Sequence, residues 1–510
     1  MGQPTDPLVA ANRFGLGPRP GELARIAADP RGHVEAQLAD PTAARLTAPD
    51  LMASDRAMRE ARAAERVRQA ERARAAEAGP AAGGKTPPGP AATPVPAMAG
   101  NPMPAMAAGP APAMMAPGKP PAAAKPPLPI EAEIFRREQI ARLARFCETE
   151  TPLLERLVLF WSNHFSMSAW KSNTVLGMIG QWERDVVRKN VLGKFSDMLI
   201  GTMRHPAMIA FLDNENSMGP NSPIGRSWGM GYNENLAREI LELHTLGVGA
   251  GYTELDVTNL AKIITGWSYV RGWEADNKWN GGNQQNRGQF IFRPDWHEPG
   301  AITVLGKSYT QTGIDQGLTV LRDLAIHPKT AEHIAYKLVL HFISDSPTPE
   351  MVNPVKTAFL NSGGNLKTTA LALIKLPAAL TGTPTKIRTP YELTVAQFRA
   401  SKVTTWGDRE WAVSEPLRAL NHMPFERQTP DGYPDETAWW LNPDAMTIRL
   451  DTAQLFYDVF WWKTAPVPAT LGTQLFDMAL SAQSKALLAQ TTDKRNGLTS
   501  LLMLPEFQRR

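Results

Sequence analysis

Cysteine is nearly absent: the 510 residues contain one, Cys147. That excludes a disulfide scaffold, a cysteine-rich zinc site and a redox CxxC pair. It fits a reducing compartment, and a cysteine-poor exported protein equally well. Charge of one sign is also scarce. Lys and Arg number 54 against 50 Asp and Glu, a balance of +4, too small an excess for a nucleic-acid binder. Nowhere do about 18 apolar residues run together, so no transmembrane helix is expected. The opening Met1-Gly2-Gln3-Pro4-Thr5-Asp6-Pro7 has neither a charged leader nor an apolar stretch. No signal peptide is therefore expected, which leaves the cytoplasm, or export together with a partner, as expectations. Walker A, HExxH and GxSxG are all missing. No repeat of 20–50 residues recurs, which excludes a solenoid.

What is present is unevenly distributed. Over residues 79–129, all but eight positions are Ala, Pro, Gly or Met. Such a segment cannot form a packed core and is expected to be a disordered or polyproline-like linker. Its methionines (Met98, Met103, Met106, Met114 and Met115) could in principle attract Cu(I), but compositional bias accounts for them without a metal. Residues 51–78 carry seven Arg against Asp55 and four Glu and read as a solvated helix supported by i,i+3 pairs such as Arg62–Glu65. With Lys85, Lys119 and Lys125, the 51–129 arm holds +5, leaving −1 for the rest of the chain.

Outside the arm the pattern is helical. Residues 1–50 read as a short helical start of the core, and 130–510 as the core itself. Apolar residues recur at helical spacing from Ile134 to Phe146 and from Leu153 to Trp161. Further helices are expected at 172–190, 193–204, 234–246, 254–265, 313–326, 329–342, 350–360, 366–376, 390–401, 443–460 and 496–505. One β signal stands out: Gln289–Phe292 and Ile302–Leu305 flank a turn rich in Asp, Pro and Gly, which predicts a small hairpin near 288–306. Trp161, Trp182, Trp439, Trp440, Trp461 and Trp462 sit in apolar patterns and are expected in the core. The fold class is thus mainly α: one large multi-helical domain with a small hairpin and a disordered insert.

Five segments could carry chemistry. The densest is Asn233–Gly247. At 100° per residue, Arg238, Glu239 and Glu242 share one side of its helix, while His244 lies about 160° from Glu242. Glu239 and Glu242 could hold a cation or an arginine; an Arg/Glu network with His244 near a Gly247 cap explains the same residues. The next helix opens on Thr253-Glu254-Leu255-Asp256, a capping-box pattern that makes Asp256 a first-turn acid. Trp161-Ser162-Asn163-His164-Phe165 ends an apolar helix, so Asn163 and His164 need partners if buried; His164 is either a hydrogen-bonded core histidine or a ligand or general base. His205-Pro206 marks a helix entry with His205 near its N-cap. Asp295-Trp296-His297-Glu298-Pro299-Gly300 lies on the hairpin loop, where His297 is a candidate for function or for turn chemistry alone. Gly247-Val248-Gly249-Ala250-Gly251 follows a helix rather than a strand and reads as a turn, not a dinucleotide fingerprint.

These segments also carry a resemblance. Ala11-Asn12-Arg13-Phe14-Gly15-Leu16-Gly17, the run from Glu155 to Phe165, His205-Pro206-Ala207-Met208, the Asn233–Gly247 helix, Gly251-Tyr252-Thr253 through Thr265-Gly266-Trp267, the His297–Gly300 turn before Leu305-Gly306-Lys307, His327-Pro328-Lys329-Thr330-Ala331, and Thr429-Pro430-Asp431-Gly432-Tyr433-Pro434 with Trp439–Asn442 follow in order. Together they resemble the large bacterial family named domain of unknown function 1800, over the whole chain except about residues 45–130. The resemblance implies a mainly helical protein with no assigned activity, often exported, and often encoded beside a sulfatase-like partner family.

Two functional readings follow. One is a non-catalytic binding or assembly partner of a sulfatase-like protein, with the 51–129 arm providing reach. The other is a metal-dependent enzyme whose catalytic groups come from His164, Arg238, Glu239 and His297, with a divalent metal on ligands drawn from His164, Glu239, Glu242, His244 and His297. For the arm, limited proteolysis should cut first within 79–129 and leave the remainder intact; protection of that segment would refute disorder.

Overall fold

Caps written into the sequence start the helices. In the computed structural model, which describes residues 5–48, part of 51–74, 128–270 and 288–510, proline at the first turn recurs behind a capping residue. His205 Nδ1 accepts from Ala207 N at 3.2 Å and His327 Nδ1 from Lys329 N at 3.2 Å. The expected capping box at Thr253 and Asp256 forms, and a second forms at Thr389 and Glu392. Each satisfies backbone N–H groups that a helix start leaves without partners. The result is a mainly helical fold. Its principal helices include Ile130–Glu148, Pro152–His164, Asn173–Trp182, Phe195–Met203, Pro328–Phe342, Pro349–Asn361, Pro390–Ser401 and Pro443–Phe456. No helix among the described residues is long and apolar enough to cross a membrane.

Residues 1–62 and 130–510 cluster as one compact unit, and 63–129 as a second. The linker expected at 79–129 lies outside the described residues except for its last two positions. The described residues between Arg56 and Arg74 are helical, and Arg56 Nε pairs with Glu60 at 2.7 Å.

The β structure corrects the expected hairpin. Strands occur at both expected places but do not pair with each other. β1 (Trp267–Tyr269) pairs antiparallel with β2 (Phe290–Phe292), and β3 (Ile302–Val304) with β4 (Lys307–Tyr309). The reason is the two-residue turn Leu305-Gly306, whose φ values are 50° and 75°. Two consecutive left-handed residues close a tight hairpin and return the chain on β3 immediately. Two of the tryptophans assigned to the core are also corrected. Trp439 is 65% exposed and Trp462 61%, while Trp161, Trp182, Trp440 and Trp461 are buried.

Four described segments wind as π-helix rather than α-helix: Ala10–Phe14, Glu183–Arg188, Ile240–His244 and Tyr457–Trp461. Such turns are rare and shift side chains off the 100° phase that a straight helix imposes. The reading of 234–246 as a straight helix fails here, and His244 turns inward to full burial.

The fold closes on a buried carboxylate. Glu392, 2% exposed, accepts from Arg156 Nη1 at 2.8 Å and from Thr389 N at 2.9 Å, and pairs with Arg510 Nε at 2.9 Å. Arg156, Arg510 and the backbone N–H hold this carboxyl well below the usual carboxylate range, against the effect of burial. Glu392→Ala leaves two guanidinium groups buried without their acid. It should destabilise the fold by about 3–5 kcal/mol, read as a lowered urea midpoint; an unchanged midpoint would show the cluster to be dispensable.

Candidate functional site

The helix read as apolar, Pro152–His164, carries the most consequential charges. Glu155 and Arg156 are both fully buried. Glu155 begins a row of alternating ion pairs. Arg145 Nε lies 2.9 Å from Glu155, Glu155 2.7 Å from Arg188, Arg188 3.0 Å from Glu183, and Glu183 2.7 Å from Arg142. Ser162 Oγ donates to Glu183 at 3.0 Å. The π-turn Glu183–Arg188 supplies the middle of the row. The row ends on the Arg142 guanidinium, which lies 4.8, 5.0 and 5.0 Å from the rings of Phe146, Tyr391 and Phe425.

Arg142 and Tyr391 form part of the wall of a cleft of about 70 Å³. Leu159, Pro424, Phe425, Tyr433 and Pro434 make its sides largely apolar, and His341, Glu392, His422 and Asp435 also reach it. Most ligand pockets are several times larger, roughly 300–1,000 Å³. His341 Nδ1 lies 2.6 Å from Asp435 Oδ1, and its Nε2 lies 3.3 Å from Arg156 Nη2. A guanidinium can only donate, so Nε2 accepts and Nδ1 carries the proton to Asp435. Burial pushes His341 down to about 4 even though Asp435 pulls the other way. Both ring nitrogens are occupied, so His341 is no general base for Ser162 or Ser166 nearby in the cleft wall. His422 Nδ1 accepts from Tyr391 N at 3.1 Å, and burial lowers it to about 3.

The candidates named from the sequence have separate positions. Asn163 locks the 429–434 loop: its Nδ2 donates to Tyr433 O at 2.8 Å and its Oδ1 accepts from Tyr433 N at 2.7 Å. The loop passes so close that a Cβ on Gly432 would sit 2.5 Å from Asn163 O. His164 and His244 stitch two helix ends together. His164 Nε2 donates to His244 O at 3.2 Å, and His244 Nδ1 donates to His164 O at 3.3 Å. Carbonyls only accept, which fixes both tautomers. His333 joins them, its ring 6.1 Å from that of His164. Burial and the nearby Lys337 charge keep all three below the ordinary histidine value.

Arg238 lies among Glu234, Glu242 and Glu254 at 3.5, 3.2 and 2.7 Å. Glu239 stands outside those pairs, and burial with the charges of Glu242 and Asp431 raises it to about 7. His297 is held elsewhere, with Nδ1 3.2 Å from Thr265 O and its ring against Phe292. Neighbouring Glu298 takes both Asn221 Nδ2 and Asn221 N, at 2.6 and 2.9 Å. Among the described residues no group of three or more His, Cys, Asp or Glu is placed to hold one metal ion. Sequence reasoning did not single out Arg142, Arg156, Glu183, Arg188, His341, Glu392, His422 or Asp435. The available signal was the adjacent Glu155-Arg156 inside an apolar run, since a charge at such a position is tolerated only when paired.

The architecture defines a class: a mainly helical protein whose interior is organised by arginine–carboxylate pairs around a small, largely apolar cleft. The particular family follows from the sequence pattern. The chain belongs to the family described as Protein of unknown function (DUF1800), whose model matches residues 9–509. No curated protein and no solved structure matches the chain.

Acid should destabilise the fold. His205, His244 and His422 fall to about 3 and His333 and His341 to about 4. Each takes up a proton near its ordinary value of about 6.5 only when the chain unfolds. Their contribution is present above about pH 6.5 and is lost as pH falls toward 4. Glu138 and Glu239, raised to about 7, act oppositely, but five histidines outweigh two acids. Urea midpoints should therefore fall between pH 7.5 and pH 5; a midpoint that rises over that range would contradict the assignment.

Proposed function

We propose that this protein is a non-catalytic helical binding partner that assembles with a sulfatase-like protein. The observation that carries the reading is a strip of exposed aromatic surface beside a half-buried ion-pair cluster. Trp170 is 58% exposed and Trp411 46%. Trp170 packs edge-on against Phe135 at 6.3 Å. Next to Phe135, Arg136 reaches Glu410 at 2.6 Å, the residue before Trp411. Both tryptophans thus stand on segments that meet the Ile130–Glu148 helix at consecutive positions, Phe135 and Arg136. Exposed tryptophan flanked by arginine is the composition of interface hot spots. The interior supports the same reading, because His341, Glu392 and the Glu155–Glu183 row are engaged with one another rather than presented to a substrate. The family resemblance supplies the class of partner. A metal-dependent enzyme using His164, Glu239, Glu242, His244 and His297 has less support: His164 and His244 bond each other's carbonyls, Glu242 pairs with Arg238, His297 is held by Thr265, and no three of them are placed to hold one metal ion.

The test is co-expression with a sulfatase-like protein from the same genome, followed by size-exclusion chromatography. A stable complex is expected. Trp170→Ala and Trp411→Ala should each weaken it by at least about tenfold while leaving thermal unfolding unchanged. Separate elution of the two proteins at micromolar concentration, or variants that bind as the parent does, would overturn the reading.

A further inference from the structure

Two buried donors at the cleft have no acceptor. Arg142 and Tyr391 are each 4% exposed, and both belong to the cleft wall. By distance and angle neither Arg142 Nη1 nor Tyr391 Oη has a well-formed hydrogen bond, although the guanidinium stands near enough to the phenol oxygen to point a donor toward it. The Arg142 charge opposes the upward push that burial gives the Tyr391 hydroxyl. A guanidinium only donates, and a phenol without an acceptor has its proton to give. What both lack is an acceptor oxygen, and a buried donor left in this state is costly.

Charge at this end of the cleft points the same way. The row runs from half-buried Arg145 through buried Glu155, Arg188 and Glu183 to Arg142, so three cations alternate with two anions and a cation stands at the cleft end. The acids that also face the cleft are already engaged. Asp435 accepts from His341, and Glu392 is shared by Arg156, Arg510 and Thr389 N. His341 and His422 are neutral, held down by burial. The remaining wall is Leu159, Pro424, Phe425, Tyr433 and Pro434, which suits a short apolar body. The volume of about 70 Å³ holds a few waters or one very small molecule.

We infer that the cleft is a binding site for a small amphipathic carboxylate, whose oxygens take Arg142 Nη1 and Tyr391 Oη and whose apolar part lies between Leu159, Phe425 and Tyr433. Nothing in the binding-partner reading requires this site, and the two stand or fall separately. Charge-assisted hydrogen bonds at a desolvated position are the stronger kind, so Tyr391 should contribute measurably to affinity.

The experiment is isothermal titration calorimetry of the full chain with propionate, butyrate and benzoate at constant ionic strength, beside chloride and inorganic phosphate. The variant is Tyr391→Phe, which removes only the unpartnered hydroxyl and keeps the ring against Arg142, so it should fold at least as stably as the parent. At least one carboxylate should bind. Its dissociation constant should rise at least about tenfold in Tyr391→Phe, and chloride should give no heat. Carboxylate affinity unchanged in the variant would overturn the proposal, as would heats from phosphate alone or from none of the probes.

Discussion

Glu392 occupies the position on which the rest of the fold depends, because one carboxylate there serves three separate pieces of chain. It caps its own helix through Thr389 N, neutralises Arg156 from the Pro152–His164 helix, and meets Arg510 from the far end of the sequence. A charge removed from water is stable only with such partners. The segment that brings Arg510 in is tied down by further arginines. Arg388 Nε donates to Phe507 O at 2.8 Å and its Nη2 to Asn12 Oδ1 at 2.6 Å, while Arg449 Nη1 donates to Gln508 Oε1 at 2.9 Å. Asn12 in turn donates to Glu506 O and Arg509 O. The early turn Asn12-Arg13 and the late segment 506–510 therefore meet across the same buried polar cluster.

Rare helix geometry delivers several of these groups. Asn12 and Arg13 lie on one π-turn, Glu183 and Arg188 on another, and His244 on a third. A straight α-helix would place these side chains at other angles, because the inserted residue breaks the 3.6-residue phase. The same groups stiffen the cleft, since Arg142 is gripped by Glu183 and stacked among three rings. A wall so constrained is held in one arrangement before any ligand arrives.

Much of the local structure was legible in the sequence. The helix from 390 to 401 spans the residues expected, and those at 254–265, 313–326 and 329–342 form within one or two residues of expectation, because periodicity and caps are local signals. The capping box at Thr253 and the N-cap at His205 were legible for the same reason. The pairing of β2 and β3 was not, because a turn of two left-handed residues diverted β3 onto β4. The site was legible only in part. His164 and His244 proved to be buried and interlocked and Asn163 half-buried against Tyr433, yet their partners, Tyr433 and each other's carbonyls, lie 80 or more positions away in sequence.

By itself the sequence determined that the chain is mainly helical, that its cysteine chemistry is limited to Cys147, that no helix crosses a membrane among the described residues, and which family it belongs to. Each of these depends on composition, on short-range spacing or on the order of motifs. Tertiary structure alone decided that Glu155, Arg156, Glu183 and Glu392 form the interior, that His341 is neutral between Asp435 and Arg156, and that Arg142 and Tyr391 face a cleft without an acceptor. Those outcomes depend on desolvation and on contacts between distant segments. A charged residue has the same letter on the surface as in the core, and only the packed fold determines what neutralises it.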